Sequence, residues 1–238
     1  ENPGEGDYTY TYDLDVTAVT DPITVDFEED YLHRAVIQVE YVLDSGEELV
    51  FNPWLDWVPS GGDAPVTKDV AMTDSCNECH DPLAIHGGGR IEMEYCVVCH
   101  NPGTTDPNSG LNLDMATMTH KIHMGHNLPS IEDGGTYTIW GYRDGEHDYS
   151  HVGYPQSLAN CAKCHSDDDK ETADGGNWFD RPTMDSCGSC HDGVDFASGD
   201  GHDGGAATDN TQCAICHTAD VNKANHTYEM VSPNNPDL

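Results

Sequence analysis

The pentapeptide Cys76-Asn-Glu-Cys79-His80 is the first of five Cys-X-X-Cys-His stretches, which together hold all ten cysteines of this 238-residue chain. We number these motifs I to V in chain order. Motifs II to V are Cys96-Val-Val-Cys99-His100, Cys161-Ala-Lys-Cys164-His165, Cys187-Gly-Ser-Cys190-His191 and Cys213-Ala-Ile-Cys216-His217. Motifs III, IV and V begin 26 residues apart, at 161, 187 and 213. Equal intervals predict a repeated unit that places each site beside the preceding one.

This spacing predicts covalent attachment of haem c. Two thiols three positions apart can each add to one vinyl group of a porphyrin, and the adjacent His then reaches the iron. The sequence therefore predicts five haem c groups. The predicted attachment residues are Cys76, Cys79, Cys96, Cys99, Cys161, Cys164, Cys187, Cys190, Cys213 and Cys216. The predicted proximal ligands are His80, His100, His165, His191 and His217.

Two other uses of the cysteines compete with haem attachment. Cys76, Cys79, Cys96 and Cys99 alone are spaced like the ligands of a zinc ribbon. A disulfide framework also suits an exported chain. Neither alternative explains a His directly after every cysteine pair, so haem c is the favoured interpretation.

The supply of histidine is large enough to give every iron a second imidazole. Of the fourteen His residues, nine lie outside the motifs. From these nine we predict five distal iron ligands: His86, His120, His123, His202 and His226. The seven Met residues are the less favoured source of ligands.

His120 and His123 lie in a predicted short helix that begins after Asp114, a possible N-cap, and ends at Gly125. Histidines three residues apart project from one helix face. They cannot be the two trans ligands of one iron, so each must serve a different haem. Two solvated surface histidines are the alternative.

The other predicted distal ligands are flanked by glycine or stand alone after the last motif. Glycines after His86 and around His202 let the backbone approach a flat porphyrin, and His226 follows motif V. Loop histidines in flexible turns are the alternative for these positions. If one of the five is wrong, His147 or His151 is the predicted substitute.

Charge and hydropathy exclude several classes of protein. With 9 Lys and Arg against 44 Asp and Glu, the formal charge is −35, which excludes nucleic acid as a partner. No apolar run of eighteen residues is present, so no transmembrane helix is predicted. Haem c attachment and the amino-terminal sequence are typical of an exported chain whose signal peptide has been removed. Extracellular or cell-surface localisation follows.

The cysteine-free residues 1–70 are predicted to form a small antiparallel β module, similar to a sandwich, on the alternating patterns Tyr8–Val16 and Ala35–Val42. Asp44-Ser-Gly46 predicts a hairpin turn. Residues 71–238 are predicted to form a loop-rich pentahaem c domain with short helices. Acidic loops, Glu132-Asp133 and Asp167-Asp-Asp169, are candidates for Ca²⁺ binding, with simple solvation as the alternative.

Several longer stretches resemble the pentahaem domains of outer-membrane decahaem cytochromes of the OmcA/MtrC type. They include Cys76 to Arg90 with its His-Gly-Gly-Gly-Arg ending, Tyr95 to Gly103, the His120-Lys-Ile-His123 helix and Val152-Gly-Tyr-Pro-Gln. The resemblance implies a β domain before a chain of closely packed bis-His haems. Members of that family carry two such units and this chain has one, which is typical of a half-length relative, a fragment or a self-assembling subunit.

The resemblance implies electron transfer at the cell surface to minerals, flavins or other multihaem cytochromes. We therefore predict an electron-transfer protein that is not an enzyme. The alternative is a homo-oligomer, the subunit of a conducting extracellular cytochrome filament. A haem reductase of nitrogen or sulfur oxyanions is the least favoured hypothesis, because every motif ends in an ordinary His and distal ligands abound.

Overall fold

The structure, a computed structural model, describes residues 9–64, 69–166 and 172–226. The chain divides into two compact units, one formed by Glu1–Ala35 with Leu55–Pro65 and the other by Val36–Trp54 with Val66–Leu238. The segment 36–54 thus belongs with the part of the chain that carries the motifs. The sequence boundary between residues 70 and 71 stays a prediction.

The strands are short and pair only two by two. Strand β1 (His33–Val36) pairs with β4 (Trp54–Trp57). Strands β2 (Val39–Val42) and β3 (Glu48–Phe51) form an antiparallel hairpin, as do β5 (Thr138–Trp140) and β6 (Glu146–Asp148).

The predicted hairpin is confirmed, since β2 and β3 flank the turn at residues 44–46 and Gly46 has a φ of 86°. The strand predicted at Tyr8–Val16 is wrong for residues 9–16, which contain no strand, and Tyr8 lies outside the described residues. Asp15 instead accepts hydrogen bonds from the amide and hydroxyl of Thr17, which turns the chain. Alternation alone does not supply the partner strand that a β-strand needs.

The helices are short, and most connections between them are irregular. They are α1 (Thr73–Asn77), α2 (Met93–Cys99), α3 (Met115–Met124), α4 (Pro129–Glu132), α5 (Asn177–Asp180), α6 (Met184–Gly188), α7 (Cys213–Cys216) and α8 (Ala219–Asn225). Three 3₁₀ turns add Gly125–Asn127, Tyr142–Asp144 and Cys161–Lys163. Among the described residues no helix is long and apolar enough to cross a membrane. The predicted loop-rich architecture with short helices and small antiparallel sheets is confirmed.

The ends of α3 are set by the residues that the sequence predicted. The Asp114 carboxylate accepts hydrogen bonds from the backbone amides of Ala116 and Thr117, which otherwise have no partner in the first turn. Gly125 ends the helix with a φ of 48°, and a Cβ there would lie 2.1 Å from the Val152 carbonyl oxygen. Glycine is therefore required where the helix meets the loop at Val152.

The apolar core of the second unit is small. Leu128, Tyr137 and Ile139 are buried together, packed against side chains of α3 and its neighbours. Asp106 is also fully buried, and its carboxylate accepts hydrogen bonds from the Trp140 amide and the Ser109 hydroxyl. The number of buried aliphatic side chains is small for a domain of this size. This agrees with an interior that is filled by something other than side chains.

Candidate haem-binding sites

Each of the five motifs forms one closed turn of chain. The backbone amide of every motif His donates to the carbonyl of the first Cys of its motif, four residues earlier, at 2.9 to 3.0 Å. In one such turn the first Cys, the second Cys and the His project from the same side. The two sulfurs and the imidazole are thus presented together, as haem c attachment requires.

No disulfide joins any two of the ten cysteines, all of which lie among the described residues, so the disulfide alternative finds no support. Burial raises the pKa of the Cys76 thiol and of the Cys161 thiol to about 11, so these groups are protonated at neutral pH. Among the described residues no group of three or more His, Cys, Asp or Glu is placed to hold a metal ion. A zinc ribbon needs four such ligands together, whereas a haem iron needs only two from the protein.

The structure places each motif His opposite one of the five predicted distal histidines. The distances between ring centres are 6.0 Å for His80–His123, 6.1 Å for His86–His100, 6.0 Å for His120–His165, 6.2 Å for His191–His226 and 6.3 Å for His202–His217. The two histidines of α3 therefore face different motifs, III and I.

This separation is the one that two imidazoles on a shared metal require. A nitrogen–metal bond of about 2 Å on each side, with about 1 Å from each nitrogen to its ring centre, places the centres about 6 Å apart. Direct stacking of two rings without a metal would allow closer centres. The ten histidines therefore fit bis-imidazole ligation of iron.

Hydrogen bonds at Nδ1 orient most of these imidazoles. Five of them place Nδ1 within 2.7 to 3.0 Å of a backbone carbonyl oxygen: His100 on Leu113, His123 on Thr119, His165 on Val70, His202 on Gly205 and His226 on Asn222. Since a carbonyl only accepts, Nδ1 carries the proton, and Nε2 keeps its lone pair. Nε2 is thereby left as the metal-binding nitrogen.

The pair formed by His120 and His165 is the most deeply enclosed. Burial lowers the pKa of His120 to about 4, and the neighbouring rings of His165 and His123 act in the same direction. Burial also lowers the pKa of His165. Both imidazoles are therefore neutral at physiological pH, which is the form that binds a metal.

Cysteines that lie near enough to raise one another's pKa show which motifs are neighbours. The interacting pairs that join different motifs include Cys76 with Cys96, Cys76 with Cys164, Cys161 with Cys190, and Cys187 with Cys213. These pairs give the spatial order II, I, III, IV, V. Motif III is thus central, although its distance along the chain from motif II is the longest gap between motifs.

The remaining histidines make other contacts. His33 packs between the rings of Phe27 and Trp57, as expected of a structural residue. His147, a predicted substitute ligand, stacks on Tyr149 within the β5–β6 hairpin, and the other substitute, His151, is exposed. Among the described residues, each motif His faces one of the other five histidines instead.

One buried donor fits a bound group with acceptor atoms. The indole nitrogen of Trp178 is buried without a hydrogen-bond partner among the described residues, and its ring centre lies 6.5 Å from that of His226. Native proteins rarely leave such donors unpaired. A haem carries two carboxylates, so the orphan donor beside a candidate ligand agrees with haem binding.

Calcium binding stays a prediction. Asp167–Asp169 lie outside the described residues. Glu132 and Asp133 belong to no three-ligand group in the part of the chain that the structure describes.

Sequence reasoning missed two polar residues that hold ligands in place. Asn222 is buried, and its side-chain amide donates hydrogen bonds to the backbone carbonyls of Phe179 and His217. Its backbone carbonyl accepts a hydrogen bond from Nδ1 of His226. Its position four residues before His226, one helical turn, is the signal that could have found it. The second is Ser189, which lies 3.1 Å from Nδ1 of His120. Sequence gives no signal for a contact between residues so far apart.

Comparison with known proteins places the two parts of the chain in one family. The sequence model for outer membrane cytochrome MtrC/MtrF-like, domains II/IV, matches residues 68–230, and that for the OmcA-like N-terminal domain matches residues 2–64. The chain is 30% identical over 227 residues to the multiheme cytochrome MtrC of Shewanella baltica (strain OS185), covering 93% of this chain and 29% of that protein.

Two solved structures show the same relation. The outer membrane decaheme cytochrome OmcA matches with a TM-score of 0.64 and 34% identity, over 76% of this chain and 27% of that one. MtrC from Shewanella baltica OS185 matches with a TM-score of 0.66 and 28% identity, over 91% of this chain and 31% of that one. The chain spans less than a third of the length of these relatives. It belongs to the OmcA/MtrC family of outer-membrane multihaem cytochromes.

Proposed function

We propose that this chain transfers electrons through five covalently attached haem c groups, each held between two imidazoles. The observation that carries the proposal is the pairing of every motif His with one non-motif His at 6.0 to 6.3 Å between ring centres. Five independent pairs at one separation are hard to explain by side-chain packing alone. The family to which the chain belongs supports the same function.

Bound haem supplies reversible one-electron chemistry at iron, and the protein supplies ligation, spacing and electrostatics. Carbonyl acceptors at Nδ1 make the imidazoles more basic, which favours the oxidised iron. The formal charge of −35 acts in the same direction, because negative charge stabilises the more positive oxidation state. We therefore propose low reduction potentials, as bis-His ligation also favours.

The two ends of the motif series are the proposed points of exchange with partners. Motifs II and V stand at the ends of the spatial order, so each has only one neighbouring motif. Similar proteins are named as outer-membrane cytochromes, so we propose a cell-surface location. The proposed partners are other multihaem cytochromes and extracellular acceptors such as minerals or flavins.

Intact-mass and optical measurements on the purified protein test this proposal. We expect a mass increase equal to five haems, and low-spin spectra in both the oxidised and the reduced protein. A colourless product, or fewer than five haems in fully matured protein, contradicts the proposal. A high-spin component that shifts on adding a nitrogen or sulfur oxyanion indicates an open iron and favours the reductase alternative.

Assembly into a filament is a second candidate function. Its support is the placement of motifs II and V at opposite ends of the series, because head-to-tail contact between such ends continues the series from copy to copy. The high negative charge opposes that contact unless cations bridge the copies. Negative-stain microscopy tests it: filaments that disappear with chelator support it, and particles of monomer size at every concentration contradict it.

A further inference from the structure

We propose that Ser189, a residue inside motif IV, is a positioning residue for the ligand of a different site and sets the reduction potential of the central site, at motif III. The proposal rests on the proposed function, since it concerns haem held between His120 and His165. It goes beyond that function by assigning a role to a residue that is neither an attachment point nor an iron ligand.

The Ser189 hydroxyl forms a directed chain of two hydrogen bonds. Its oxygen lies 2.5 Å from the carbonyl of Ser186 and 3.1 Å from Nδ1 of His120. A carbonyl can only accept, so the hydroxyl proton goes to Ser186. The hydroxyl oxygen is then the acceptor, and Nδ1 of His120 is the donor. This order fixes the proton of His120 at Nδ1 and leaves Nε2 facing His165.

Among the described residues, no other acceptor is seen at Nδ1 of His120. Ser189 is only 1% exposed, so solvent does not reach the contact. The neighbouring Cys190 sulfur also interacts with the hydroxyl. Once that sulfur is a thioether it accepts hydrogen bonds only weakly, which leaves the Ser186 carbonyl as the better partner of the hydroxyl proton.

The contact differs in kind from those of the other oriented ligands. Five other imidazoles donate from Nδ1 to backbone carbonyls, which no side-chain substitution removes. They belong to His100, His123, His165, His202 and His226. His120 instead donates to the side-chain hydroxyl of Ser189, so one substitution can remove its acceptor while the backbone stays in place. Among these six oriented imidazoles of the described residues, His120 of the central site is therefore the one whose basicity depends on a replaceable side chain.

The direction of the effect follows from the chemistry of the ligand. An acceptor at Nδ1 increases the basicity of Nε2 and so favours oxidised over reduced iron. Removing the Ser189 hydroxyl takes away that acceptor. The potential of the central site then rises, while each of the four other sites keeps its carbonyl-held imidazole and its potential.

The test compares Ser189→Ala with the matched control Ser186→Ala by spectroelectrochemical titration of the fully loaded proteins. The Ser186 side chain contacts Thr183 and its backbone carbonyl survives the substitution. In Ser189→Ala we expect one of five potentials to rise, so that at fixed applied potential the reduced-to-oxidised ratio of that site grows about threefold, the effect of one hydrogen bond. In Ser186→Ala we expect the five potentials of the unaltered protein.

A second pair of variants separates the hydroxyl from side-chain volume. Thr and Val have nearly the same shape, and only Thr keeps an acceptor, so Ser189→Thr should keep the original potential and Ser189→Val should show the raised one. The Thr and Val variants also test the proposal if the Ser189→Ala protein does not fold. Five unchanged potentials in Ser189→Ala, or equal potentials in the Thr and Val variants, overturn the inference. Fewer than five haems in the unaltered protein instead overturns the proposed function.

Discussion

Two regions of the molecule place a loop histidine opposite a motif His in the same way, but different residues hold the two loops in place. The amino-terminal pair of sites (residues 73–100, motifs I and II) and the carboxy-terminal pair (residues 184–217, motifs IV and V) both contain Asp-Ser-Cys-X-X-Cys-His-Asp. In each pair an antiparallel bridge closes the loop after the first motif, Ile85 to Arg90 or Asp195 to Asp200. A loop histidine then faces the His of the second motif.

The supports of the two loops differ. In the amino-terminal pair, the buried Asn52 reaches in from the end of β3, donating to the Gly89 carbonyl at 3.0 Å and accepting from the Ile91 amide at 2.7 Å. In the carboxy-terminal pair, Asp195 holds its own loop through Ala197 and Ser198. The pairing of a loop histidine with the second motif is thus common to both, whereas the side chain that supports one loop comes from a distant segment and that of the other from the loop itself.

Removing a loop histidine is expected to have the largest effect. His86→Ala and His202→Ala should each leave one iron without its second imidazole, because the facing motif His remains. Each variant should therefore show one high-spin site in five by electron paramagnetic resonance. His147→Ala is the control, and a high-spin site in that variant would contradict the assignment of the pairs.

The next largest effect is expected for Asn52→Ala, which removes both hydrogen bonds to the loop at residues 89–91. The Ile91 amide loses its acceptor where the buried Asn52 side chain stood, and this lowers the free energy of unfolding by about 1 to 3 kcal/mol. Urea titration of the loaded protein measures this loss. Asn101→Ala removes a comparable amide from an exposed position. A loss as large in that control would show that burial is not the cause.

A smaller and strictly local effect is expected for Asp195→Ala, because this side chain is exposed. The amides of Ala197 and Ser198 lose their acceptor, so their hydrogen exchange should become faster. Amides at residues 85–90 should exchange at the original rate. Faster exchange in both loops would mean that the two supports are coupled, contrary to the comparison.

The smallest effect is expected for Glu78→Gln, at the motif I position that corresponds to Ser189 of motif IV. Glu78 forms an ion pair with Lys163, but 60% of its side chain is exposed. Such pairs contribute between about 0 and 1 kcal/mol and weaken with salt. Unfolding in low and high salt measures the difference, which should vanish at high salt. A loss that persists at high salt would indicate a buried role for Glu78.

The sequence was most informative where a function is confined to a few neighbouring residues. The motifs, the caps of α3 and the separate roles of His120 and His123 all depend on spacing within one or two turns of chain. Spacing does not say which motif a distal histidine faces. His86 follows motif I by six residues but faces His100 of motif II, because the bridge from Ile85 to Arg90 turns it away.

Equal spacing of the motifs along the chain predicted their local structure less well than shared local sequence did. The 26-residue spacing of motifs III, IV and V does not mark equal local structures, since motif III begins in a 3₁₀ turn and motif IV in α6. The similar regions are instead those around motifs I and IV. Tertiary contacts such as Ser189 with His120 depend on how these regions pack, which no periodicity in the sequence encodes.

The double role of α3 has a consequence for biogenesis. Its two histidines face motif I and motif III, which are far apart in the chain. The helix has its full set of partners only after both of these cofactors are in place. Its apolar side chains Met118, Ile122 and Met124 pack against the buried core, so the same helix joins the core to both sites. On the proposed function, loss of either cofactor leaves one imidazole of this helix without its iron, so the two sites mature as a coupled pair.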